Sequence, residues 1–155
     1  MKSRFDRIDQ AIVRWMGDNG VTALRWSLGV VFFWFGVLKY FPHASPAETL
    51  ASRTILVLTF GHVGPALSLP VLATWECLIG LGLITGLVKR ATLALLFAQM
   101  LGTLLPLFFF ASETFSSFPF VPTLEGQYII KNLVLISAGI VIGATVRGGA
   151  ARDRT

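Results

Sequence analysis

Residues 69–88 read LPVLATWECLIGLGLITGLV, a continuous apolar run with a single formally charged side chain, Glu76. A run of about 20 apolar residues, rising about 1.5 Å per residue as a helix, spans a hydrocarbon core of about 30 Å. Three further runs of this kind flank it, Val21–Phe41, Ala91–Ala111 and Tyr128–Val146. Together they use about half of the 155 residues and leave no room for a separate soluble domain, so residues 1–155 read as one domain. The runs are continuously apolar, whereas barrel strands alternate over short segments, which excludes a β-barrel. Helices then remain as the way to satisfy backbone polar groups in lipid. The expected fold is an all-α, integral membrane four-helix bundle.

Composition agrees. Only 14% of residues are charged and 54% are hydrophobic, against roughly a quarter charged in soluble domains, and the mean hydropathy is +0.72. The net charge of +5 does not point to nucleic acid, because the basic residues follow a membrane rule. Lys2, Arg4, Arg7 and Arg14 precede the first span, Lys89 and Arg90 join spans two and three, and Arg147, Arg152 and Arg154 follow span four. The segment between spans one and two holds only Arg53, and Ser112–Gln127 holds no Lys or Arg. This asymmetry places both termini in the cytoplasm of a multi-pass protein. The polar start and the length of the first apolar run argue against a cleavable signal peptide.

Two shorter helices are expected outside the spans. Ser3-Arg-Phe-Asp6 resembles a capping box, and Phe5, Ile8, Ile12 and Trp15 recur at helical spacing. This predicts an amphipathic helix over residues 4–16 on the inner leaflet, ended by Asp18-Asn-Gly20. Ser45-Pro-Ala-Glu48 predicts an outer-face or re-entrant helix running to about Phe60 between spans one and two. The last external loop carries Phe115, Phe118 and Phe120, which predicts a loop folded against the bundle or the lipid surface.

Within the spans, residues at helical spacing define faces. Arg25, Gly29, Phe32, Gly36 and Lys39 share one face of span one; Ala73, Glu76, Gly80 and Leu83 share one of span two, which also has Gly82 and Gly86. Gln99, Thr103 and Pro106 align in span three, and Asn132, Ile136, Gly139 and Gly143 in span four, with Lys131 beside Asn132. The glycines mark helix-packing positions, since small residues let backbones approach in lipid. Glu76 is the residue that calls for an explanation, because an unpaired charge inside the bilayer costs several kcal/mol. Topology places Lys39, Glu76 and Lys131 in the same half of the bundle, so Glu76 is expected to be held by Lys39, Lys131 or both. The functional expectation is a polar pocket open to the outer leaflet and lined by Lys39, Glu76, Gln99, Lys131 and Asn132. The alternative is an ion pair that locks helix register. Trp34, Tyr40 and Trp75 read as interface anchors or packing groups.

Other chemistry has little sequence support. Cys77 is the only cysteine, and His43 and His62 lie between spans rather than within them. That leaves no disulfide relay, cysteine-ligated cluster or paired-histidine haem within the chain, and no metal site is expected. Walker, Rossmann and zinc-protease patterns are absent.

RWSLGVVFFWFGVLKYFPHASPAE, residues 25–48, resembles the opening of the DoxX-like membrane proteins, and most nearly their RclC/YkgB-like inner-membrane branch, linked to reactive-chlorine resistance. The resemblance rests on Arg25, Trp34, Gly36, Lys39, Tyr40 and Pro42 in span one, on Glu76-x-x-Ile-Gly80 in span two, and on Gly126, Lys131, Ile136 and Ala138 in GQYIIKNLVLISAG. Asn132 stands where that branch has Asp, and the first external segment is shorter. The resemblance implies a four-helix membrane protein in the inner membrane of a prokaryote, associated with redox or stress functions. Some such relatives are membrane subunits of oxidoreductases that pass electrons to quinone, and others are assembly factors.

Two functions are therefore expected to compete. One is a redox- or stress-linked membrane subunit binding a quinone or another small amphiphile at the polar pocket, with the redox centre on a partner. The other is a non-catalytic structural or assembly subunit whose glycine faces dock a partner. The expected companions are the lipid bilayer, a membrane or peripheral redox protein, and a second copy of the chain.

Overall fold

The computed structural model describes residues 4–41, 44 and 48–146. The expected Ser3 and Ser45 caps, Pro42, His43, and the terminal basic residues Lys2, Arg147, Arg152 and Arg154 lie outside the described residues. The chain runs as α1 (Arg4–Leu38), α2 (Glu48–Leu58), α3 (Pro65–Thr85), α4 (Lys89–Leu104), α5 (Pro106–Phe109), α6 (Ala111–Thr114), a hairpin of β1 (Phe115–Ser117) and β2 (Val121–Pro122), α7 (Leu124–Ile130) and α8 (Asn132–Ala144). Among the described residues, four helical stretches are long and apolar enough to cross a membrane: Phe5–Leu38, Pro65–Thr85, Lys89–Phe109 and Leu124–Ala144. The protein is an all-α, multi-pass membrane bundle. α3 lies against α1 and α4, and α8 closes the ring against α4 and α1. One end carries α2, α6 and the hairpin; the other, basic end carries Arg25, Lys89 and Arg90.

Three spans begin a few residues before their apolar runs, for local reasons. Pro65 starts α3 at its first turn, where its missing N–H costs nothing. α4 begins on Lys89 and Arg90, both exposed, where long cationic side chains can reach water from the end of an apolar helix. Thr123 caps α7, its hydroxyl accepting from Gly126 N and donating to the Glu113 carbonyl. Spans three and four each contain a one-residue step. Pro106 cannot donate to Gly102 O, which instead accepts from Leu105 N. Leu105 and Lys131 at the two steps keep right-handed helical backbone angles, so neither span unwinds.

The amphipathic segment is not a separate helix. α1 is continuous for 35 residues through Asp18, Asn19 and Gly20. A lone glycine costs a helix only about 1 kcal/mol, no proline follows it, and Asn19 donates back to Trp15 O at 3.0 Å rather than capping a new turn. Phe5, Ile8, Ile12 and Trp15 are exposed on this extension. In the last loop Phe118 and Phe120 are also exposed and Phe115 is half-buried, and the loop pairs with itself as a hairpin.

Packing between spans is set by the predicted small-residue faces. A Cβ on Gly80 would lie 2.5 Å from Phe33 N, one on Gly36 2.8 Å from Cys77 N, and one on Gly29 3.0 Å from Gly80 O. The backbones of α1 and α3 therefore touch directly. Gly82 faces the Thr92 side chain of α4, and Gly139 faces Leu96 and Phe97. The expectation that the glycine faces dock a partner is thus corrected: most of them are spent inside the chain, where close contact supplies the dispersion energy that joins helices in lipid. Leu28, Phe32, Ile79, Leu83, Leu93, Leu96, Met100, Ala138 and Ile142 fill the core between them.

Candidate functional site: a buried ion pair across three helices

Glu76 sits mid-way along α3 on the face where Ala73, Ile79, Gly80 and Leu83 are also buried. Its exposure is 7%. Lys39, the first residue beyond α1, reaches down so that Nζ donates to Glu76 Oε2 at 2.6 Å. From α4, Gln99 Nε2 donates to Oε1 at 2.9 Å. One carboxylate thus ties three helices together, and both of its oxygens are occupied. Gly36 makes this possible, because a Cβ there would come within 3.0 Å of Glu76 Cβ.

Lys39, Glu76 and Gln99 are brought together as expected; Lys131 and Asn132 are not. Lys131 lies exposed at the α7–α8 step, with its ammonium 5.3 Å from the Tyr128 ring centroid. α8 packs mainly on α4 and α1, which leaves α3 across the diagonal. One lysine already neutralises Glu76, and a second buried ammonium would leave uncompensated charge in the apolar interior. Lys131 is better placed at the surface over an aromatic face. Asn132 is half-buried and forms no side-chain hydrogen bond among the described residues. The five-residue pocket is therefore reduced to a closed triad. Two shallow, open clefts lie elsewhere, between α1 and α3 and between α4 and α8.

Around the triad, further bonds fasten the same helices. Thr74 donates to Pro70 O at 2.7 Å, which leaves its oxygen to accept from Tyr40 Oη at 2.7 Å. Trp75 Nε1 donates to Leu95 O on α4 at 3.1 Å. Tyr40 and Trp75 are helix-to-helix fasteners here, and Trp34 is exposed.

At the basic end, Arg25 has a role that its spacing alone did not reveal. Its Nη1 donates to the carbonyls of Leu83 and, at 2.9 Å, Ile84. These belong to the last turn of α3, which ends at Gly86 in the left-handed conformation, φ 68°. Carbonyls at a helix end lack intrahelical donors, and Arg25 supplies them from the neighbouring helix. The readable signal was an arginine at the end of one span facing a Gly–x–x–Lys helix stop in the next. Arg25→Met is expected to cost about 1–3 kcal/mol, measured as a lower unfolding midpoint in detergent, with Arg25→Lys recovering part of it.

The hairpin end is held by a second ion pair, this one solvent-exposed. Arg53 of α2 forms a double bond-pair with Glu113 of α6, at 2.7 and 2.9 Å, and stacks 4.4 Å from the Phe110 ring centroid. The hydrogen bonds from Arg53 hold the Glu113 carboxyl below the usual carboxylate range. A depressed acid contributes stability above its unfolded value of about 4.3 and loses it as pH falls through the folded value. The expected result is a midpoint difference between wild type and Glu113→Gln that is present at neutral pH and is lost as the pH falls through the lowered folded value of Glu113. High salt should shrink it as well.

Residues 20–112, more than half of the chain, match the family model for DoxX. The chain belongs to the DoxX family. The matched region includes the apolar C-terminal half of α1, all of α2 and α3, the whole third span, and all three members of the triad. No curated protein and no solved structure matches the chain. In this DoxX-family protein, no group of three or more His, Cys, Asp or Glu side chains is arranged to hold a metal ion among the described residues.

Proposed function

We propose that this DoxX-family protein is a non-catalytic anchoring or assembly subunit of a redox- or stress-linked complex in the inner membrane of a prokaryote. Its hairpin end faces outward and its basic end faces the cytoplasm. The observation that carries this reading is that each Glu76 oxygen is engaged by a group of the chain itself. The sole acidic side chain of α3 spends both oxygens on Lys39 and Gln99, in the manner of a register lock. The basic loops support the orientation. The link to redox or stress chemistry rests on the resemblance of spans one, two and four to the RclC/YkgB-like branch. With the inter-span glycines engaged internally, partners dock on the lipid-facing sides, the hairpin end or the exposed first turns of α1.

A second reading keeps the quinone site. The Lys39 ammonium has three protons; Glu76 takes one, Phe35 O lies at 3.5 Å, and a third has no acceptor among the described residues. That proton is available to a quinone carbonyl entering beside Tyr40. Purification from native membranes in mild detergent separates the two. The subunit reading expects a stoichiometric partner carrying its own redox cofactor, retained by Glu76→Gln whenever that variant folds. Absence of any partner, together with native-quinone binding that Glu76→Gln abolishes, would replace it with the quinone reading.

A further inference from the structure

We propose that the cleft between α4 and α8 at the basic end is a binding site for an anionic phospholipid. The cleft has a volume of about 340 Å³ and is lined by Arg90, Leu93, Ala94, Phe97, Gly143 and Val146. Its chemistry is divided. Arg90 stands at one end, exposed, with no acidic partner among the described residues, and Lys89 precedes it. The rest of the wall is hydrocarbon. Leu93, Ala94 and Phe97 follow Arg90 at helical spacing, so the groove runs from the cation up into the span. A phosphate headgroup at Arg90 and an acyl chain along Phe97 and Gly143 would satisfy both parts at once. Basic clefts between membrane helices at the headgroup level are where anionic lipids are held.

Gly143 gives the groove its floor. A Cβ there would meet only Leu93 Cδ1, at 3.6 Å, an ordinary contact. The glycine is thus not required for backbone approach, unlike Gly80 or Gly36, and the space above it is open to a ligand. The other cleft supplies an internal comparison. It is of similar size, about 290 Å³, but is lined by Val30, Phe33, Trp34, Val37 and Ile84, with no cation. It can take acyl chains but cannot select among headgroups.

The test is native mass spectrometry of the detergent-purified protein titrated with dioleoyl phosphatidylglycerol or dioleoyl phosphatidylcholine. Wild type is expected to retain the anionic lipid about fivefold better, the discrimination one basic residue provides at an anionic surface. Arg90→Gln is expected to abolish the preference. Gly143→Leu, which fills the groove without a backbone clash, is expected to weaken phosphatidylglycerol retention while thermal unfolding stays near wild type. Excess inorganic phosphate should not displace the lipid, since the chain contributes to binding. Equal retention of the two lipids by wild type overturns the proposal, as does a preference that survives both substitutions or is lost to inorganic phosphate alone.

Discussion

Lys39→Met is expected to destabilise the bundle by about 3–5 kcal/mol, because it leaves the Glu76 carboxylate buried with only Gln99 to answer it. Glu76→Gln should cost less. The stranded Lys39 sits just past the end of α1 and can carry its ammonium towards the headgroups, whereas Glu76 is fixed within α3. Combining Lys39→Met with Glu76→Gln removes both charges and keeps an amide for Gln99 to pair with. The double variant should therefore recover most of the loss. Unfolding midpoints in detergent for the wild type, both single variants and the double variant form a complete cycle. Additive losses would show that the ion pair contributes no coupling, and the register-lock reading would fail with it.

The second large effect is steric. Gly80→Leu is expected to abolish the native α1–α3 contact, since its Cβ would fall 2.5 Å from Phe33 N and 2.7 Å from Phe33 Cα. These are backbone atoms and cannot rotate away. Overpacking typically costs about 1–3 kcal/mol, and more where nothing can yield. Here the two helices must separate, which would also pull Lys39 from Glu76. The control is Gly102→Leu, where no atom lies within 4 Å and little change is expected. Size-exclusion profiles and thermal melts of the two variants distinguish them; equal behaviour would show that α1 and α3 are not in close contact in the membrane.

The spans and their inward faces were legible because membrane insertion imposes simple rules on sequence. Apolar length predicts the crossings, and helical spacing predicts which glycines meet a neighbour. Lys39, Glu76 and Gln99 followed from the same faces together with topology. The error over Lys131 has a definite source. Position along a span can be read from sequence, but the order of helices around the bundle cannot, and Lys131 lies where α8 packs on α4 and α1, not on α3. The continuity of α1 was hidden because Asp18-Asn-Gly20 is a stop signal only where something rewards stopping, and nothing caps or turns the chain there. Arg25 and the Arg53–Glu113 pair were missed because each joins segments whose contact depends on the loops between them.

The uninterrupted α1 has a mechanical consequence. Residues 4–20 extend roughly 25 Å beyond the apolar run at 1.5 Å per residue, as a stiff rod rather than a slack tether. A soluble protein seated on its tip would be held at a set standoff from the bilayer. Because that rod is the same helix that packs on α3 through Gly29 and Gly36, a small tilt at the Glu76 end would carry the distant tip through a much wider arc.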